Sequence, residues 1–284
     1  MGKFDELNLL YDPVIPVPLP KQAPATEGFA EVNGTRLWYW DTGGDGEPIV
    51  LVHPASGSAL IWEYQQPVFV EAGYRVIAYS RRGYYKSGEI DEKDPGTASG
   101  DLKGLVDHLK LDKFHLLGSA AGGSVVADFA VSFEKQLLSL IVSSNSVGQR
   151  RGYIADHAVR VRPKEWDGMP VWFREISPAY RGANPEGVQK WVDLNAIAVL
   201  GSSHRQNSVN DIGPDVLETL TVPTLLLTGA SDMSTPSSLL RMIAKHIKNS
   251  ELLVGAEAGH SFYWERPELF NAVVLDFIQR HPNK

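Results

Sequence analysis

The stretch that most constrains this chain is Phe114-His115-Leu116-Leu117-Gly118-Ser119-Ala120-Ala121-Gly122-Gly123-Ser124-Val125-Val126-Ala127. An apolar run with strand character enters a turn bracketed by glycines. A segment with Val125, Val126, Phe129 and Ala130 on one helical face leaves it. Glycine at 118 and 122 suits a place where strand and helix backbones pass too close for a Cβ. Similar apolar runs stand at 48–52, 74–79, 137–142 and 222–228, as in strands buried on both faces. Between and after them, Leu102, Leu105, Val106 and Leu109, then Phe270, Val273, Val274, Phe277 and Ile278, recur at helical spacing. This alternation predicts an α/β fold, a mostly parallel sheet with helices on both faces.

The flanks of that pattern divide the chain. Residues 1–27 carry Pro13, Pro16, Pro18, Pro20 and Pro24, which deny them helix and central strand and predict an extended arm. Residues 28–42 read as a hairpin turning at Asn33-Gly34. Residues 62–72 suggest a helix disturbed by Pro67 and stopped by Gly73. A further strand is expected at 251–254. From 148 to 215 the long apolar runs vanish, and Trp166, Trp172, Phe173, Tyr180 and Trp191 appear among Arg and Pro. The expected units are the arm 1–27, a core of 28–147 and 216–284, and an insertion 148–215. His157 and His204, both in the insertion, read as solvated helix residues.

Composition narrows the function. A net charge of −7 speaks against a nucleic-acid partner, and the pairs Arg81-Arg82 and Arg150-Arg151 are too isolated to track phosphates. With no cysteine there is no thiolate nucleophile and no thiolate metal site. No apolar run approaches the ~20 residues of a membrane helix, and residues 1–6 lack the basic and apolar parts of a signal peptide. The expected setting is a cytoplasmic monomer or homodimer acting on a small molecule without a cofactor or metal. A secreted or periplasmic form with its signal peptide removed stays open.

Several segments, each in its place along the chain, resemble the α/β-hydrolase family. Gly118-x-Ala120-x-Gly122 matches the G-x-S-x-G nucleophile elbow, with alanine where serine belongs. Ser119 does not substitute for it, since Leu117 stands two residues before and Ala121 two after. His53-Pro54-Ala55 lies at the family's His-Gly-x loop, and Ser80-Arg81-Arg82-Gly83-Tyr84-Tyr85-Lys86-Ser87 is similar to its D-x-R-G-x-G-x-S segment. Gly229-Ala230-Ser231-Asp232 matches G-x-x-D, and Ala258-Gly259-His260 matches the A-G-H loop before the last helix. The resemblance implies an eight-stranded sheet with the insertion as a helical cap. It implies a catalytic set of position 120, Asp232 and His260, with Ala55 and Ala121 N–H groups as the oxyanion hole. His53 reads as a structural hydrogen-bonder. Asn145 is the fallback for orienting His260. Ser56, Trp62, Tyr85, Ser119, Trp172 and Trp191 are the candidate substrate contacts, in a pocket expected to be largely apolar.

Ala120 admits two explanations: a serine hydrolase whose nucleophile was removed by engineering, or a native alanine in an enzyme that forms no covalent intermediate. The first implies hydrolysis of a small ester, lactone, enol-lactone or β-diketone-type C–C bond. The second implies a His–Asp general-base enzyme of lyase or cofactor-free oxygenase type. A non-catalytic ligand-binding module is the third possibility.

Overall fold

The computed structural model describes residues 2–10, 15–200 and 205–283. Among them, β1 (Thr26–Val32), β2 (Thr35–Asp41), β3 (Pro48–Val52), β4 (Arg75–Tyr79), β5 (Phe114–Ser119), β6 (Leu137–Ser143), β7 (Thr224–Gly229) and β8 (Ser250–Gly255) form one eight-stranded sheet. Its order is β1-β2-β4-β3-β5-β6-β7-β8. β1 and β2 are the expected hairpin, with positive φ at Asn33 (49°) and Gly34 (70°), as a tight two-residue turn requires. β2 meets β4 antiparallel, and every pairing from β4 to β8 is parallel. β5 therefore lies between parallel neighbours, and all of its residues are buried.

Period-two alternation divides each central strand between two apolar layers. Val50, Val52, Ile77, Leu116, Leu140, Val142 and Leu226 pack into one. Ile49, Leu51, Val76, Leu117, Ile141 and Leu225 pack into the other. Each such fully buried Val, Ile or Leu contributes about 1.5–3 kcal/mol. The helices in chain order are α1 (Gln66–Glu71), α2 (Ala98–His108), α3 (Ala121–Phe133), α4 (Gly152–Arg160), α5 (Val171–Glu175), α6 (Pro178–Ala183), α7 (Pro185–Ala196), α8 (Pro214–Leu217), α9 (Ser237–Ala244), α10 (Phe262–Glu265) and α11 (Pro267–Gln279). Leu102, Leu105 and Val106 of α2, Val126 and Phe129 of α3, and Leu239 and Ile243 of α9 close the first layer. Phe69 of α1 and Phe270, Val274 and Phe277 of α11 close the second.

Two local expectations change. Pro67 begins α1 instead of disturbing a longer helix, because a first-turn residue needs no N–H; Ala59–Trp62 is a separate 3₁₀ turn. The N-terminal arm is extended only from residue 15 onward, while Glu6–Leu10, which has no proline, coils into a helical turn. Pro13 lies outside the described residues. The extended part is fastened to the core: Tyr64 Oη donates to Val17 O at 2.8 Å, and Gln66 exchanges side-chain hydrogen bonds with both backbone groups of Ala23 at 2.8 and 2.9 Å. The arm runs directly into β1 at Thr26.

The insertion is a set of short helices, α4 to α7. Prolines open α6 and α7, and the Ser177 and Asn184 side chains cap them by accepting from Tyr180 and Gly187 N–H. His157 sits on α4, and His204 lies outside the described residues.

Candidate active site

At the end of β5 the chain turns sharply at Ala120, with φ 49° and ψ −119°. A non-glycine residue held there costs about 1–3 kcal/mol and persists only where its surroundings impose it. Here the surroundings are backbone. A Cβ on Gly118 would lie 2.4 Å from Gly122 O, and one on Gly122 would lie 2.2 Å from Val52 O. β5, α3 and the end of β3 thus cross in contact, and the apex is turned into a cavity of about 380 Å³. Ala120 N–H donates to Ser143 O, and Ala120 O accepts from Gly123 N–H, both at 2.9 Å.

Ala55 and Ala121 line the same cavity. Neither N–H has a partner among the described residues, and that of Ala121 stands at the N-terminus of a 13-residue helix. Two free donors, one backed by a helix dipole, suit a developing oxyanion. Beneath the Ala55 loop, His53 is fully buried. It donates from Nδ1 to Pro54 O at 2.7 Å and accepts at Nε2 from Arg81 N–H at 2.9 Å. Burial, with the Arg81 charge, pushes it well below the usual histidine range, so it is a neutral strut.

The loop after β7 brings Asp232 to His260: Nδ1 lies 3.0 and 2.9 Å from the two carboxylate oxygens. Asp232 Oδ1 also accepts from Ser234 and Thr235 N–H, both at 2.8 Å, and Oδ2 from Thr228 Oγ1 at 3.2 Å. Burial works to raise Asp232, but His260 and these N–H donors outweigh it and hold the carboxyl below its ordinary range. Burial also works to lower His260. The Asp232 charge and hydrogen bond outweigh it, Glu175 adds to them, and the imidazole rises to about 9, with Arg162 acting against the rise. His260 lines the cavity together with Ala120. Asn145 is not needed to orient it; its side chain donates to Ser124 Oγ and accepts from Gly148 N–H at 3.1 and 3.0 Å.

The side chains named above as substrate contacts lie elsewhere. Trp62 is buried against Tyr263 in the second apolar layer, with ring centroids 5.0 Å apart. Trp191 is fully buried where α7 packs on the second apolar layer. Tyr85 packs edge-on against Trp38, 5.1 Å between centroids. Trp172 is exposed beside Phe173, under the Arg181 guanidinium. Ser119 is the last residue of β5 and fully buried, one residue before the turn that would have carried its side chain outward. Ser56 is also buried, but its Oγ donates to Glu175 Oε2 at 2.6 Å, and Glu175 does line the cavity.

The cavity wall is more polar than the sequence implied. The sheet side contributes Ser124, Ser144, Asn145 and Ser146, and the α4–α7 segment contributes Arg162, Trp166, Arg174 and Glu175, with Arg205 after α7. Ser144 Oγ is buried without a partner. So is Arg174 Nε, and no carboxylate pairs with Arg162, Arg174 or Arg205 among the described residues. Burial raises the Glu175 carboxyl, and His260, the Ser56 hydrogen bond and Arg174 offset part of that rise.

A family model for the alpha/beta hydrolase family matches residues 49–273. A 2-hydroxy-6-oxononadienedioate/2-hydroxy-6-oxononatrienedioate hydrolase of a Pseudomonas species is 26% identical, over 90% of this chain and 95% of its own. Among solved structures, a malate-bound thermophilic esterase from Thermogutta terrifontis has a TM-score of 0.72 at 26% identity, over 91% of this chain and 100% of its own. The enol-lactonase from Burkholderia xenovorans has a TM-score of 0.71 at 23% identity, over 89% and 100%, a likeness of fold.

Proposed function

The chain belongs to the α/β-hydrolase family, and on that premise we propose that it hydrolyses a small ester, lactone or β-diketone-type C–C bond by direct attack of water. The observation that carries this is the Asp232–His260 pair, bonded at 2.9 Å and sharing one cavity with Ala120 and the free N–H groups of Ala55 and Ala121. Hydrolysis of a carbonyl needs a base for the nucleophile and donors for the oxyanion, and both are present. What position 120 lacks is an oxygen. Water is then the nucleophile, His260 Nε2 takes its proton, and Asp232 holds the imidazole in the tautomer that can do so.

The substrate carries at least one carboxylate. Arg162, Arg174 and Arg205 line the cavity against one carboxylate, Glu175, in a chain whose net charge is −7. Arg174 Nε is a buried donor without a partner, and a substrate carboxylate would satisfy it at little further cost. Two relatives agree in kind: one is named for a dioate and the other is described with malate bound.

Mass spectrometry of the protein mixed with a p-nitrophenyl ester of a dicarboxylic acid tests the direct attack. The expected result is steady turnover with no covalent adduct and no burst, whereas Ala120→Ser accumulates an acyl-enzyme. An adduct on the unaltered chain overturns it.

A further inference from the structure

We propose that Glu175 is the general acid of this site, protonating the leaving group while His260 takes a proton from water. The inference rests on the hydrolytic reading above. Glu175 ends α5 in the cap but is locked to both catalytic loops of the core. Its backbone O accepts from Ser261 N–H at 3.0 Å, directly after His260. Its Oε2 accepts from Ser56 Oγ at 2.6 Å, directly after the oxyanion donor Ala55. Oε1 has no partner among the described residues, and the residue lines the cavity. A carboxyl group fixed by one oxygen, with the other open to the substrate, is placed to deliver a proton.

Burial favours the protonated form of Glu175, against the positive charges of His260 and Arg174. An ionised carboxylate beside the Ala55 donor would repel the oxyanion that the donor serves. A neutral one does not, and it donates. The charged groups around it are His260 on its own loop, Asp232 behind that, Arg174 next in sequence, and Arg162 across the cavity; Tyr263 of α10 also feels its charge. The productive arrangement puts a proton on Glu175 and leaves His260 neutral.

The step balances. The water oxygen bonds to the carbonyl carbon, its proton passes to His260 Nε2, and the carbonyl π pair moves onto the oxygen held by Ala55 and Ala121 N–H. That pair then returns, the bond from the carbonyl carbon to the leaving oxygen or carbon breaks, and the leaving atom takes its electrons together with the Glu175 proton. Transfer of the His260 proton to the Glu175 carboxylate through solvent restores the starting state.

The test uses two esters of one dicarboxylic acid, a p-nitrophenyl ester, which needs no acid, and an alkyl ester, which does. Glu175→Gln is expected to lower kcat/KM on the alkyl ester by about 100-fold or more and on the p-nitrophenyl ester by no more than about threefold. Ser56→Ala, which frees the carboxyl without removing it, gives an intermediate loss on the alkyl ester alone. In the unaltered protein, kcat/KM on the alkyl ester falls as rising pH takes the proton from Glu175, and Glu175→Gln abolishes that alkaline fall. Equal losses on the two esters, or an unchanged alkaline limb, overturn the acid role and leave the hydrolytic reading standing. Turnover of neither ester by the unaltered protein overturns both.

Discussion

The elbow and the α4–α7 segment line one cavity and are built in opposite ways. The elbow is held by backbone packed against backbone: Gly118, Gly122 and Val52 leave no space for a Cβ, and Ala120 keeps a strained φ of 49°. The cap is held by side chains on short proline-started helices, with guanidinium groups of Arg162 and Arg174 over the Trp166 ring. On the proposed reading, the elbow side supplies base, orienting acid and oxyanion donors, and the α4–α7 segment supplies charge and a carboxyl. That reading puts the chemistry that tolerates little displacement on the rigid side, and selection of the substrate on the side that can change without disturbing it.

The sharpest way to break that contrast is a methyl group on each side. Gly122→Ala forces a Cβ to within 2.2 Å of Val52 O and 2.8 Å of His53 O. Neither backbone atom can move without shifting the oxyanion loop, so urea unfolding is expected to show a loss of about 3 kcal/mol. A loss below about 1 kcal/mol would mean that the crossing is not close-packed.

Arg174→Ala probes the cap. On the proposed reading it removes a charged hydrogen bond to the substrate carboxylate, so KM for a dicarboxylate monoester rises by about 10-fold or more with kcat nearly unchanged. A neutral ester of similar size is barely affected. An equal effect on both esters would assign Arg174 to packing.

Stability against pH reads the Asp232–His260 pair. His260 is raised to about 9, so its contribution is full below about 6.5 and is lost as pH rises through about 9. Asp232 is lowered, so its contribution is present above its ordinary value and is lost as pH falls through the depressed one. Denaturation of the protein and of His260→Gln from pH 6 to 10, on the order of the range where histidine linkage acts, is expected to show the difference shrinking toward alkaline pH. A constant difference would deny the pairing. The smallest effect is Gly182→Ala in α6, where a Cβ meets nothing within 4 Å. It is expected to raise stability by about 0.5–1 kcal/mol, the opposite sign to Gly122→Ala.

The contrast also explains what could be read before folding. The core strands carry continuous apolar runs, and the elbow glycines, Gly229-x-x-Asp232 and Ala258-Gly259-His260 stand at short fixed spacings. Their meaning is local. Glu175 is different. In sequence Arg174-Glu175 is an ordinary charged pair on a helix, and its partner Ser56 is 119 residues away. Only the fold of the cap onto the core brings them together. The tryptophans misled for the same reason. A large ring suits a buried cap core as well as a pocket wall, and Trp191 turned inward while Trp166, stacked beneath two arginines, reached the cavity.

His260 is proposed to perform catalysis here although position 120 carries no nucleophile. The most direct test is the initial rate of hydrolysis of a carboxylate-bearing p-nitrophenyl ester by the unaltered protein and by His260→Ala, side by side. Saturable turnover that falls by about 100-fold or more in His260→Ala is the predicted result. Turnover that survives the substitution undiminished, or that is missing from the unaltered protein, would contradict it.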